Sequence, residues 1–429
     1  MNSGFQRIGF ASTRFAGTDG VSFEAGKWAR IFAETGAKCH WFAGQLETPP
    51  ETSHLAPEAF FNHPEVLEIQ AGLFGVTERS AEIARRIEAM AERLKSELQG
   101  FIARFAIDLL VVENALAIPM HIPLGLAIAA VIESARIPTI AHHHDFAWER
   151  ERFAVNAAAD YLDAAFPPRL PGVAHVVINS MQRDALAARF GIEAAVVPNV
   201  LDFDAPPPKP DEYALGFRAD IGLAGNETLV LQPTRIIARK GIGHSVELVR
   251  RLADRNAVLV LSHPAGDEGL DYLREIESRI RDAGIRAIFL SGRIGRTRGT
   301  TPDGRRIYTL ADIYPQADLV TYPSSWEGFG NALLEAVYFG RPVLANAYPV
   351  YRSDIAPCGL HVVEMDGEVT DAVVAEVRRV LDNPSLQAEW ARENFAVGRR
   401  HFSMALARER LREAMAEVAV RLASPLHGG

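Results

Sequence analysis

The sequence predicts two tandem α/β domains, each a doubly wound, Rossmann-like parallel sheet, with a cleft between them. Three observations carry this. Short apolar or β-branched runs alternate with longer amphipathic stretches along the chain, as strand–helix–strand repeats require. The pattern is interrupted by the polar, proline-rich run Asp204–Asp211 and then starts again. The 429 residues, 48% of them hydrophobic, exceed one ordinary domain and supply large cores.

In the first half, Arg7–Ser12 is read as a strand, Val21–Thr35 as a helix stopped by Gly36, and Lys38–Ala43 as the next strand. Glu78–Phe105 is a long helix whose charges alternate in sign, which marks a solvated face. Asp108–Val112, Pro138–Ala141 and Ala174–Ile178 are further buried strands. The second half predicts strands at Thr228–Gln232, Ala257–Ser262, Arg286–Leu290, Asp318–Tyr322 and Pro342–Ala345. A helical stretch, Ser385–Leu422, closes the chain. The expected domains are 1–203 and 212–404, joined by the linker 204–211.

A net charge of −9 excludes general nucleic-acid binding, because no basic excess exists to neutralise phosphates. Two cysteines, Cys39 and Cys358, make neither a disulfide framework nor a zinc site and fit a reducing compartment. No apolar run follows a basic start, and none is long enough to span a membrane. A cytoplasmic protein is expected.

The densest chemistry lies in Ser324–Glu335. The strand ending at Tyr322 is stopped by Pro323, and a helix follows from Ala332. Glu327 therefore sits in the loop at the carboxyl end of a strand, where open α/β sheets bind ligands. Glu335 follows about two helical turns later. The amides of Gly328, Phe329 and Gly330, ahead of Asn331, face an anion at a helix N-terminus. Carboxylates beside such amides suit a sugar nucleotide, its hydroxyls on the acids and its diphosphate on the amides.

This segment, continued through Ala336–Ala345, resembles the donor site of the family 4 retaining glycosyltransferases (the GT-B fold). The resemblance implies that Glu335 holds the ribose hydroxyls and that Glu327 lies by the donor hexose. A second stretch, Leu231–Gly241, places Arg235 and Lys240 five residues apart after a strand. Two cations there suit a diphosphate leaving as an anion. Family members carry both on the diphosphate, so no metal ion and no cofactor beyond the nucleotide sugar are implied; Arg239 is read as peripheral.

Other positions follow the same resemblance. His144 and Asp145 match a His-Asp pair at the reacting centre. The run His142–His144 is not read as a metal site, since neighbours in an extended chain alternate direction. Gly20 matches a loop glycine that admits the donor; Asp19 departs from the pattern and either caps the helix or holds an acceptor hydroxyl. Arg293 and Ile294 lie where the family reads the nucleotide base through backbone groups. Glu113 and Asn114, at a strand end, are candidate acceptor contacts. The final helix, from about residue 405, is expected to rejoin the first domain. The basic stretch Gly295–Arg306 is expected as a mobile surface loop, with an anionic acceptor as a second reading for its arginines.

The function expected is transfer of a hexose, with retention and on one face, from a UDP-, GDP- or ADP-sugar to a hydroxyl of a small soluble or glycan acceptor. UDP-glucose and GDP-mannose are the first candidates. The alternatives are a nucleotide-sugar epimerase or phosphorylase of the same architecture, or a non-catalytic nucleotide-sugar-binding protein.

Overall fold

Each half of the chain closes its own parallel sheet, and the strands follow the apolar runs closely. In the computed structural model, residues 4–17, 20–265 and 270–423 are described. The chain divides into one unit of Met1–Pro198 with Ala407–Gly429 and a second of Asn199–Leu406.

The first unit holds strands β1 (Arg7–Ala11), β2 (Lys38–Ala43), β3 (Ser53–Leu55), β4 (Leu109–Glu113), β5 (Thr139–His143), β6 (Val173–Val177) and β7 (Ala194–Val196). They form one parallel sheet in the order β3-β2-β1-β4-β5-β6-β7. The central strands β4, β5 and β6 are buried along their whole length, so they read as continuous apolar runs. The helix Ala81–Phe105 buries Ile87, Met90, Leu94, Leu98, Phe101 and Phe105 along one stripe. Ser80 caps it by accepting from the Ile83 amide.

The second unit holds β8 (Thr228–Gln232), β9 (Ala257–Leu261), β10 (Arg286–Phe289), a hairpin of β11 (Gly299–Thr300) and β12 (Arg306–Ile307), then β13 (Leu319–Tyr322), β14 (Val343–Asn346) and β15 (Val363–Met365). Six of these make a parallel sheet in the order β10-β9-β8-β13-β14-β15. Strand order reverses between β8 and β13, the switch point at which such sheets open a crevice.

The run Asp204–Asp211 is not the boundary. It belongs to the second unit, because both of its ends are tied there. Phe203 lies edge-on to Tyr338 and Phe395, and Leu201 pairs with Ser403. Asp211 caps the helix Glu212–Leu215 and binds Arg298. The closing helical stretch is two helices, Pro384–His401 and Met404–Ala423, broken where Ser403 pairs with Leu201. The second packs in the first unit, where Arg408 binds Glu34.

The basic stretch 295–306 is an ordered hairpin. Arg298 is held by Asp211 and Asp312, Arg305 by Asp303, and Arg306 lies over Tyr213. Three of its arginines are therefore engaged within the unit. Among the described residues, no helix is long and apolar enough to cross a membrane.

Candidate active site

The two cation- and carboxylate-bearing loops meet because β8 and β13 are hydrogen-bonded neighbours whose carboxyl ends point the same way. After β8, a buried Gln232 accepts from Ser245 and Thr321 on either side, which fixes the loop root to both elements. The loop then makes a turn at Ala238–Lys240 and enters the helix Ile242–Arg251. Gly241 closes that turn at φ +62°, and a Cβ there would lie 2.2 Å from the Pro323 carbonyl oxygen. The Ser325 amide donates to the Arg239 carbonyl at 2.9 Å.

This approach brings Glu327 onto Lys240. The carboxylate is buried and ion-paired to Lys240, while its Oε2 lies 3.1 Å from Arg239 Nη1. Burial pushes Glu327 towards the protonated form; the two cations outweigh it and hold the carboxyl below its usual range. Burial in turn lowers the Lys240 pKa, against the pull of Glu327. Arg239, read as peripheral, is thus part of the cluster: the turn swings its guanidinium back, where it also donates to the Trp326 carbonyl at 3.2 Å. Arg235 is exposed at the same strand end.

His263 lies two residues beyond the end of β9. Burial, then Arg235 and Lys240, lower its pKa to about 4, so it stands neutral beside the cations. It shares a 2.7 Å hydrogen bond with Ser262.

The helix Asn331–Tyr338 starts from Gly330. Glu335, on that helix, accepts from the Tyr314 hydroxyl at 2.6 Å and is half-buried, so its carboxylate is already oriented. Gly328 is half-buried and Phe329 is buried edge-on against Phe402. Asn331 accepts from Asn199 at 2.7 Å.

Arg293 has its side chain buried on Asp220 and on the Arg306 carbonyl. Its amide and carbonyl are also used, by Leu290 and Tyr308. The bridge between Ile294 and Tyr308 runs through the Arg293 carbonyl and the Gly295 amide, not through the main-chain groups of Ile294.

In the first unit, the three histidines divide by strand alternation. His143 faces His175, 3.0 Å away, whereas His142 and His144 turn to the other side. There Glu113 meets both, with its Oε2 2.9 Å from His142 Nδ1 and 3.3 Å from His144 Nε2. These three residues gather potential ligand atoms within 4.8 Å, so two histidines and an acid converge where alternation argued against three histidines. Glu113 is fully buried and does not offer its carboxylate to an acceptor.

Asn114, at φ +60°, accepts from the His144 amide at 2.9 Å and donates to Asp145 at 2.8 Å. Asp145 also accepts from Arg150 at 2.9 Å. Gly20 begins the helix Gly20–Glu34 and is exposed. Asp19 lies outside the described residues.

Glu149 sits below this loop, accepting from the Phe146 amide at 2.7 Å and from Gln182 at 3.1 Å. Burial, with Asp145 adding to it, pushes its pKa up to about 7. A carboxyl raised in the folded state stabilises fully below its unfolded value and loses that contribution as pH rises through the folded one. Unfolding stability should therefore fall between about pH 4.5 and about pH 7. Glu149→Gln is expected to flatten that slope and raise the unfolding midpoint at pH 8 in a thermal melt; an unchanged slope would refute the assignment.

Residues 216–396 match the family described as glycosyl transferases group 1. A mannosylglucosylglycerate synthase of Thermotoga maritima is 31% identical over 422 residues, covering 90% of this chain and 94% of that protein. The chain belongs to the group 1 glycosyltransferases. A second mannosylglucosylglycerate synthase, of Petrotoga mobilis, is also 31% identical, covering 83% of this glycosyltransferase and 86% of its own length.

Among solved structures, Anabaena HepE in complex with UDP and glucose superposes with a TM-score of 0.64 at 14% identity, over 96% of this chain and all of that one. The lipopolysaccharide glycosyltransferase WaaG gives 0.61 at 16%, over 95% and 98%. Both share the GT-B fold of this glycosyltransferase.

Proposed function

We propose that this glycosyltransferase moves a hexosyl group, mannosyl first among the candidates, from a nucleoside diphosphate sugar to a hydroxyl of a small soluble acceptor in the cytoplasm. The observation that carries the donor half is the buried Glu327–Lys240–Arg239 cluster at the β8/β13 switch point. When a diphosphate arrives, Lys240 and Arg235 neutralise it, and Glu327 exchanges its ammonium partner for sugar hydroxyls. Arg239 keeps the carboxylate charged during that exchange. Glu335, preset by Tyr314, takes the ribose hydroxyls, and the main chain of Ile294 meets the base.

The cations can carry the charge that develops on the leaving diphosphate without a metal ion. We infer retention by a same-face path, in which the departing phosphate oxygen takes the acceptor proton. The acceptor half is supported by the two near-full-length relatives, whose names describe a mannosylated glucosylglycerate. The acceptor class is accordingly a glycoside of a small hydroxy acid.

The test is a thermal-shift panel of UDP-, GDP- and ADP-sugars on the wild type and on Glu335→Ala, followed by product analysis with glucosylglycerate. Native-state binding raises the midpoint by mass action. GDP-mannose is expected to stabilise the wild type, and Glu335→Ala to lose at least half of that shift. No shift with any nucleotide sugar would overturn the proposal.

A further inference from the structure

Glu113 is fully buried, and the partners of its carboxylate among the described residues are the imidazoles of His142 and His144. The arrangement follows from sheet register: Glu113 on β4 is paired with His142 on β5, and His144 projects on the same side two residues later. Trp28 stacks on His142 with ring centroids 4.0 Å apart and closes that side. The backbone of His144 is pinned at both ends, its amide donating to Asn114 and its carbonyl accepting from Gln182 at 3.0 Å.

One oxygen that faces two ring nitrogens selects protons on both. The second oxygen, Oε1, is buried with no hydrogen-bond partner in the structure, as is Nε2 of His142. The protonation of this cluster is thus set locally. The charged and titratable groups that face it are few. They are Glu24, paired to Lys27, against His142; His143 with His175 behind; and Asp145, paired to Arg150, in the following loop.

We infer that Glu113 is a positioning residue. By accepting from Nε2–H of His144 it fixes that imidazole as one tautomer and leaves Nδ1 as the lone-pair acceptor for a hydroxyl of the sugar substrates. The inference deepens the proposed function and rests on it in one respect, the placing of His144 at the reacting centre. An acid that hydrogen-bonds a functional histidine sets both its ring orientation and its basicity.

The experiment compares wild type, Glu113→Gln and Glu113→Asp by nitrogen-15 NMR of the histidine side chains and by separate measurement of kcat and KM. The wild type is expected to show His144 as the Nε2–H tautomer. Glu113→Gln is expected to show mixed tautomers and kcat reduced roughly 10- to 100-fold with the donor KM unchanged. Glu113→Asp, which keeps the carboxylate, restores the single tautomer; it also serves if the glutamine variant folds poorly.

An unaltered tautomer and an unaltered kcat, with only the melting temperature reduced, would overturn the inference. So would one equivalent of divalent metal in the purified wild type that is lost in His142→Ala, since the cluster would then be a metal site. The NMR readout needs no turnover. A fixed tautomer in a wild type that transfers no hexose would therefore sink the proposed function and leave the positioning role standing.

Discussion

Replacing Lys240 by methionine is expected to cut hexosyl transfer by at least about a hundredfold and to cost about 3 kcal/mol of stability. The two losses have separate causes. The catalytic loss comes from removing the cation proposed to meet the leaving diphosphate. The stability loss comes from Glu327, which stays buried with only Arg239 at 3.1 Å as an ionic partner. The double variant Lys240→Met/Glu327→Leu separates them. With the buried carboxylate gone and only the half-buried Arg239 left of the cluster, it should unfold in urea closer to the wild type than the single variant does, yet remain inactive. Retention of more than a tenth of wild-type turnover by the single variant would refute the role given to Lys240.

Gly330→Ala should disable donor binding through geometry rather than charge. Gly330 stands at φ +154°, and an added Cβ would lie 2.4 Å from the Tyr348 hydroxyl oxygen. That hydroxyl donates to the Phe329 carbonyl at 2.6 Å, so it cannot step aside without breaking a buried bond. We expect about 2 kcal/mol of destabilisation and a donor KM raised at least tenfold, as the start of the helix Asn331–Tyr338 is displaced. Adding Tyr348→Phe removes the clashing atom but neither the backbone strain nor the orphaned carbonyl. Partial recovery of the melting temperature is the expected result; full recovery would show that φ is unimportant.

The parts legible in the sequence were those written in neighbouring residues. The strand, proline stop, glycine pair and helix around Glu327 and Glu335 lie within one short segment, so periodicity and turn chemistry located them. The strands of both sheets follow from buried apolar runs, apart from the three-residue strands β3, β7 and β15, which are too short to show a period.

What escaped were pairings over long separations. Nothing near Lys240 announces that Glu327 lies against it, and a turn's geometry rather than a spacing rule brings Arg239 to the same carboxylate. The histidine run disclosed its alternation but not its partner, because Glu113 lies on another strand. Arg298 of the hairpin looked available since its acids, Asp211 and Asp312, are remote in the chain. The proline run resembled a linker until Phe203 and Asp211 were seen to fasten both its ends.

The helix Met404–Ala423 is synthesised after the unit Asn199–Leu406, although from Ala407 onward it belongs to the unit that precedes that one in the chain. Leu411, Ala414, Met415 and Val418 of that helix are buried. On the ribosome, the contiguous unit Asn199–Leu406 can therefore mature before its predecessor has all its parts. The first unit must wait until that helix has emerged. A premature stop near residue 407 would accordingly spare the second unit and injure the first, which is encoded upstream of it.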